Sequence, residues 1–281
     1  MNRIVRLIKP SPLLAAALTL MVSCGDDGEQ RSRWDSETGA TPLEGMSRFT
    51  RIDSDREVIV HCGNSMRLAM EWVASEFQKQ HGIAVVFNFG GSSELLPLIE
   101  MGGRGDLYIC HDPYAEILQE KGLLDHYTVV GHLEPILLVP RGNPKNISGL
   151  ADLGRDNMRL ATVDPRYATA GKMIEAALER ESWGGAVRRN IVVEARSHAD
   201  AALALTTGHV DAAAVWNFVA ALYPEEFEQI DIGVEFPEEI RVTLVRLTTS
   251  ENHEEAREFM EFATSDFARK VFTHYGYIEA E

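Results

Sequence analysis

His61-Cys62-Gly63-Asn64-Ser65 follows the β-branched run Val58-Ile59-Val60 and leads into a helical pattern. A second segment, Phe89-Gly90-Gly91-Ser92-Ser93, does the same after Val85-Val86-Phe87. Each reads as a strand running into a helix through small residues and hydroxyls. The first backbone N–H groups of a helix have no partner within it and carry the positive end of its dipole, so each junction is a ready anion site. Neither junction contains Lys or Arg. Two of them in one chain point to a small oxyanion held by neutral donors.

The pattern continues outward from these junctions. A helix is expected over 65–81, with Met66, Ala69, Met70, Val73 and Phe77 at helical spacing, Asn64 or Ser65 as its cap and Gly82 as its stop. A strand at 84–89, a helix at 93–101, a strand at 106–110 and a helix at 114–121 follow. Further strands are expected at 136–139, 159–163, 191–193, 212–215 and 241–247. Helices are expected near 171–181, 198–207, 216–222, 252–263 and 265–274. This alternation predicts an α/β fold with mostly parallel sheets. Ligands of such sheets bind beyond the carboxyl ends of the strands. The two junctions lie there, with Cys110-His111-Asp112, Asp164-Pro165 and Trp216-Asn217. A site spread over five strand ends suits a cleft between two lobes.

The N-terminus carries Arg3, Arg6 and Lys9, then a short apolar stretch and Met21-Val22-Ser23-Cys24. This resembles a bacterial lipoprotein signal over 1–23, with Cys24 as the lipidated first residue of the exported chain; an ordinary secretory signal is the alternative. Residues 24–56 are rich in Gly, Ser, Thr, Asp and Glu and read as a flexible tether, reaching on the order of 30 Å. The formal charge is −16, and about −19 without the three basic residues of the signal. Nucleic acid is therefore an unsuitable partner, because binding it needs clustered Lys and Arg. The same acidity repels an anionic ligand at long range, so local dipoles must prevail at short range.

Taken together, these segments resemble the periplasmic molybdate-binding proteins of ABC transporters, within the type II solute-binding proteins. The resemblance rests on the order of Gly63-Asn64-Ser65, Gly91-Ser92-Ser93, Gly105-Asp106-Leu107-Tyr108, Asp164-Pro165 with Thr169-Ala170-Gly171, and Asp211-Ala212-Ala213-Ala214-Val215-Trp216. It implies a two-lobed fold closing over its ligand, with lobe 1 at 57–135 and 238–281 and lobe 2 at 136–237. It further implies an oxyanion ligand, molybdate or the related tungstate, delivered to an ABC transporter permease. The expected protein is a monomer and not an enzyme, with no cofactor, periplasmic or on the cell surface and tied to the membrane only through Cys24. The implied ligand contacts are Asn64 and Ser65, Ser92 or Ser93, and backbone N–H groups at Ala170 and near Ala199. Trp216 stands where the family has a tyrosine hydroxyl. Indole donates one hydrogen bond and cannot accept, so a different or larger ligand is the alternative, with Asn217 as a further candidate contact. An isolated Ser or Asn at these positions is equally a plain helix cap.

Cys62 and Cys110 each adjoin a histidine, His61 and His111. Three readings stand: a disulfide, two buried free thiols, or a soft-metal site of all four residues suiting zinc or copper(I). Adjacent strand residues point to opposite faces, which counts against all four converging. Gly90-Gly91-Ser92-Ser93-Glu94 narrowly misses the nucleophile elbow of serine hydrolases, because Glu94 replaces its last glycine.

Overall fold

β1 (Glu57–Gly63) carries Val58, Ile59 and Val60, all buried, and is flanked on both sides by other strands. That double burial explains a continuous apolar run rather than an alternating one. The computed structural model describes residues 49–237 and 239–280. The expected signal, Cys24 and most of the expected tether lie outside the described residues.

A single 3-10 turn (Asn64–Met66) joins β1 to α1 (Arg67–His81), which stops at Gly82 in a left-handed conformation, φ 66°. Next come β2 (Ala84–Gly90), α2 (Ser92–Glu100), β3 (Leu107–His111), α3 (Tyr114–Glu120) and β4 (Leu124–Leu133). The chain then enters a second sheet through β5 (Pro135–Pro140). There follow β6 (Leu160–Val163), α4 (Thr169–Arg180), α5 (Gly184–Arg189), β7 (Ile191–Ala195), α6 (His198–Thr206), β8 (Ala212–Trp216), α7 (Phe218–Leu222) and β9 (Phe227–Asp231). It returns through β10 (Ile240–Leu247) and ends with α8 (His253–Ala263) and α9 (Asp266–His274).

The two sheets have the orders β2-β1-β3-β10-β4 and β7-β6-β8-β5-β9. In the first, β1 is parallel to β2 and β3, whereas β10 is antiparallel to both β3 and β4. In the second, β6 is parallel to β7 and β8, whereas β5 is antiparallel to β8 and β9. One strand per sheet is thus reversed, and it is the strand by which the chain enters that lobe. The other four run toward the same edge, so a strand departing from that edge must run against them. This places the ends of β1, β2, β3, β6, β7 and β8 on the two facing edges.

Each lobe has its own core. In the second, Leu137, Val139, Leu160, Ile174, Leu178 and Val187 pack as one buried cluster. In the first, Leu95, Ile99, Tyr108, Cys110, Leu118 and Val245 pack α2 and α3 onto the sheet. On the opposite face, Phe77 of α1 meets Phe259 of α8 edge-on, with ring centroids 4.9 Å apart. Burying each such side chain contributes about 1.5–3 kcal/mol.

The stretch 49–56, which composition assigns to the tether, lies against the first lobe. Phe49 packs edge-on against Phe87 at 5.3 Å, Gln78 Nε2 donates to the Thr50 carbonyl at 2.9 Å, and Arg56 binds Glu255 and Glu258. Polar composition hides this docking, because most of the anchors are hydrogen bonds rather than apolar periodicity.

The register corrects the cysteine readings. Cys62 stands opposite Ile109, and His61 opposite Tyr108. Side chains of aligned residues share a face, so Cys62 and His111 lie on one face and His61 and Cys110 on the other. Both thiols are free and buried, which excludes the disulfide. Among the described residues no group of three or more His, Cys, Asp or Glu is placed to hold a metal ion, so the four-residue soft-metal site does not form. Burial pushes both thiols well above the usual cysteine range, leaving them neutral and inert.

Candidate functional site

Four helical starts converge on the cleft, and three of them lack a side-chain cap. At the 3-10 turn Gly63 is the cap, and no side chain satisfies its first N–H groups. Gly63 leaves room for its neighbours: a Cβ there would lie 2.9 Å from Ser92 Oγ and 2.5 Å from Met66 Cε, so those side chains would have to shift. The close approach brings the Ser92 hydroxyl against the end of β1. Ser92 is buried, and its carbonyl accepts from the Tyr108 hydroxyl at 2.9 Å. At α2 the cap is Gly91, whose N–H is taken by Glu94 Oε2 at 3.0 Å. In the second lobe Ala168 caps α4 without a side-chain bond, which leaves the first-turn N–H groups of Thr169, Ala170 and Gly171 without an intrahelical acceptor. At α6 the Ser197 hydroxyl caps only the N–H of Asp200, leaving that of Ala199 outside the cap.

The implied contacts therefore divide by exposure. Ser92, Ala170 and Trp216 are buried, Ser65 is partly buried, and Asn64, Ser93 and Ala199 are exposed. The Tyr277 hydroxyl donates to the Ser65 carbonyl, which ties that turn to the C-terminal segment. Arg67, at the start of α1, is turned away onto Glu71 at 2.9 Å and the Phe89 ring. Asn217 is not available as a contact. Its Oδ1 accepts from the Glu134 N–H at 3.2 Å and its Nδ2 donates to the Gly276 carbonyl at 2.9 Å. It fastens the crossing between the lobes instead. A cavity of about 580 Å³ also lies at the crossings, lined by Leu133, Glu134, Pro135, Val234 and Phe236. None of the implied contacts borders it.

The residues that the sequence reading did not assign to ligand binding are Tyr114, Thr169, His111 and His198. Tyr114, the first residue of α3, has its hydroxyl near Ser93 of its own lobe and Thr169 of the other. Burial raises its pKa, and those two hydroxyls partly offset this. His111 ends β3 between two rings, Tyr114 at 5.5 Å and Trp216 at 6.0 Å. His198 opens α6, with Trp216 at 6.0 Å and Phe218 at 5.8 Å. Burial lowers the pKa of both, and His198, facing His111, is pushed down to about 3. The only sequence signal for either was a histidine at a strand end or a helix start.

The lips of the cleft are charged. Arg196 Nη2 meets Glu94 Oε1 at 3.1 Å across the cleft, and the Arg196 and Arg166 guanidinium carbons stand 4.9 and 5.5 Å from the centre of the Tyr167 ring. Each arginine is paired, Arg196 with Glu94 and Arg166 with Asp164, so at the lip they neutralise those two carboxylates.

The family model of the bacterial extracellular solute-binding proteins matches residues 58–278. The chain belongs to this family. It is a binding protein rather than an enzyme, and it acts outside the cytoplasm. The ModA molybdate-binding protein of Mycobacterium tuberculosis is 26% identical over 276 residues, covering 95% of each chain. Among solved structures, the Azotobacter vinelandii periplasmic molybdate-binding protein matches with a TM-score of 0.66 at 18% identity, covering 80% of this chain and 100% of its own. The sulfate-binding protein SubI of M. tuberculosis matches with a TM-score of 0.69 at 17% identity, covering 80% and 88%. The solute-binding protein thus shares its two-lobed fold with proteins named for different oxyanions.

Proposed function

We propose that this solute-binding protein captures a tetrahedral oxyanion, molybdate or tungstate, in the cleft and delivers it to an ABC transporter permease. The observation that carries this reading is the convergence of uncapped helix starts from both lobes, at Ser65, Ser92 and Ala170, with hydroxyls among them. Fixed N–H dipoles and hydroxyls are already oriented and need no desolvation of a buried cation. The assigned contacts are Asn64, Ser65, Ser92, Ser93 and the N–H groups of Ala170 and Ala199. Trp216, only 1% exposed, walls the cleft where the family has a tyrosine. Similarity to the named molybdate-binding proteins supports the choice of ligand. Lobe closure over the anion reshapes the outer rim, which a permease reads. Lipidation at Cys24 holds the protein at the membrane.

The test is ligand-dependent melting, since a ligand of the folded form alone raises the melting temperature. Molybdate or tungstate is expected to stabilise the protein, by about 2.7 kcal/mol at a hundredfold excess over Kd. The Ser65→Ala, Ser92→Ala double variant is expected to lose that response. A response to sulfate or phosphate alone would overturn the ligand, and no response to any oxyanion would overturn the reading.

A further inference from the structure

His111 and His198 come from opposite lobes and meet over Trp216, and their inner nitrogens are committed to the backbone. His111 Nδ1 lies 2.8 Å from the Asp112 carbonyl oxygen. A carbonyl only accepts, so Nδ1 carries the proton and the neutral ring presents a bare lone pair at Nε2. His198 Nδ1 accepts from the Trp216 backbone N–H at 3.4 Å, so its proton sits on Nε2. The pair therefore offers one acceptor and one donor in fixed positions.

The place of this pair matters as much as its tautomers. The His111 ring touches Tyr114, whose hydroxyl lies near Ser93 and Thr169 in the first turns of α2 and α4. Trp216 on its other side adjoins His198, the first residue of α6. His111 is thus at the meeting point of three helix starts assigned to the oxyanion. A dianion near neutral pH has only acceptors to offer. Against the His198 donor it fits, but against the His111 lone pair it is repelled unless a proton is added between them.

We propose that oxyanion capture by this cleft takes up one proton from solution, held between His111 Nε2 and a ligand oxygen, while His198 Nε2–H donates to the same anion. This rests on the oxyanion reading above and makes affinity depend on pH. The charged and titratable groups around His111 are accounted for. The neighbouring Asp112 is bound by Arg241, at 2.9 Å from Nε, and Arg241 also binds Glu116 of α3. From α3 comes the neutral phenol of Tyr114, and from the other lobe His198 and the indole of Trp216. Asp112 and Glu116 share the one Arg241 guanidinium, and Glu116 Oε2 is without a hydrogen-bond partner, but neither carboxylate hydrogen-bonds to His111 Nε2. Burial holds the empty His111 below its ordinary pKa, and a dianion beside it raises that value. The bound state therefore holds a proton that the free state lacks. Affinity tightens as pH falls, by about tenfold per pH unit where one proton is taken up.

The experiment is calorimetric titration of the mature protein with molybdate near pH 7.5, in two buffers of different ionisation enthalpy that are not themselves oxyanions. The expected result is uptake of about one proton per molybdate, with Kd about tenfold tighter per pH unit as pH falls. His111→Asn keeps a donor for the Asp112 carbonyl and removes Nε2, and His111→Gln puts an amide donor near the place of Nε2. Both are expected to abolish the uptake and flatten the pH dependence, whereas His198→Gln keeps the uptake and weakens binding. Agreement of either His111 variant with wild type in melting temperature certifies its fold. Binding without proton uptake, or uptake that survives both His111 variants, would overturn this proposal alone. Absence of binding to molybdate, tungstate and sulfate would overturn the oxyanion reading and this proposal with it.

Discussion

Arg196 of the second lobe reaches Glu94 of the first, Nη2 to Oε1 at 3.1 Å, and the same Glu94 accepts the Gly91 N–H at 3.0 Å. One carboxylate thus accepts the N–H of the residue preceding a helix start on the cleft and latches the opposite lip. Hydrogen bonds from Gly91 and then Arg196 hold it below the usual glutamate range. Its negative charge stands beside the path of an incoming anion, and the arginine screens it.

The consequence is kinetic. Both partners are well exposed, so removing the pair is expected to change stability by less than about 1 kcal/mol. Arg196→Ala bares the carboxylate, and stopped-flow association with molybdate is expected to slow several-fold at low salt. The difference should shrink as ionic strength rises. Equal rates at low salt would show that the lip does not steer the ligand.

Gly171, in the first turn of α4, sits against the end of β6. A Cβ there would lie 2.2 Å from the Val163 carbonyl oxygen, so the helix start must move to admit one. Gly171→Ala is expected to cost about 1–3 kcal/mol in urea unfolding and to weaken molybdate binding more than tenfold. Gly185→Ala is the contrast. A Cβ at Gly185, in α5, meets nothing within 4 Å, and that variant is expected to gain about 0.5–1 kcal/mol.

The thiols of Cys62 and Cys110 are buried on opposite faces of one sheet. The melting temperature is therefore expected to be the same with and without a reducing agent. Neither thiol should react with a thiol reagent until the protein unfolds. A drop in melting temperature on reduction would show a disulfide that this register forbids.

His198 couples stability to pH in the empty protein. Its folded pKa of about 3 lies below the unfolded value near 6.5, so the unfolded chain binds a proton that the folded one refuses. Stability is full above about pH 6.5 and falls as pH drops toward 3, by on the order of 1 kcal/mol per pH unit. His111 acts in the same direction. Urea unfolding at pH 7, 6 and 5 should show a shallower loss in His198→Gln than in wild type. Parallel losses would remove His198 from this role.

Much of the fold is legible in the sequence where the signal is local. The doubly buried strands show as apolar runs, α1 shows as a 3.6-residue period ending at Gly82, and the glycine and serine junctions show the helix starts. β4 does not show. Leu124-Asp125-His126-Tyr127-Thr128 is mixed in character and largely exposed, and its strand identity comes from pairing with β10 more than a hundred residues away. Asn217 reads equally as a cleft residue, but its amide is consumed by Glu134 and Gly276, contacts that no local pattern announces.

The chain by itself determined that strands alternate with helices and that helix starts without Lys or Arg stand at strand ends, because propensity and orphan N–H groups depend on neighbours a few residues apart. Only the tertiary structure decided that Cys62 and Cys110 part across a sheet. It alone set the Tyr114 hydroxyl between Ser93 and Thr169, and His111 against His198. Sheet register and the meeting of two lobes are made by residues distant in sequence, and a one-residue change of register reverses which face each side chain takes.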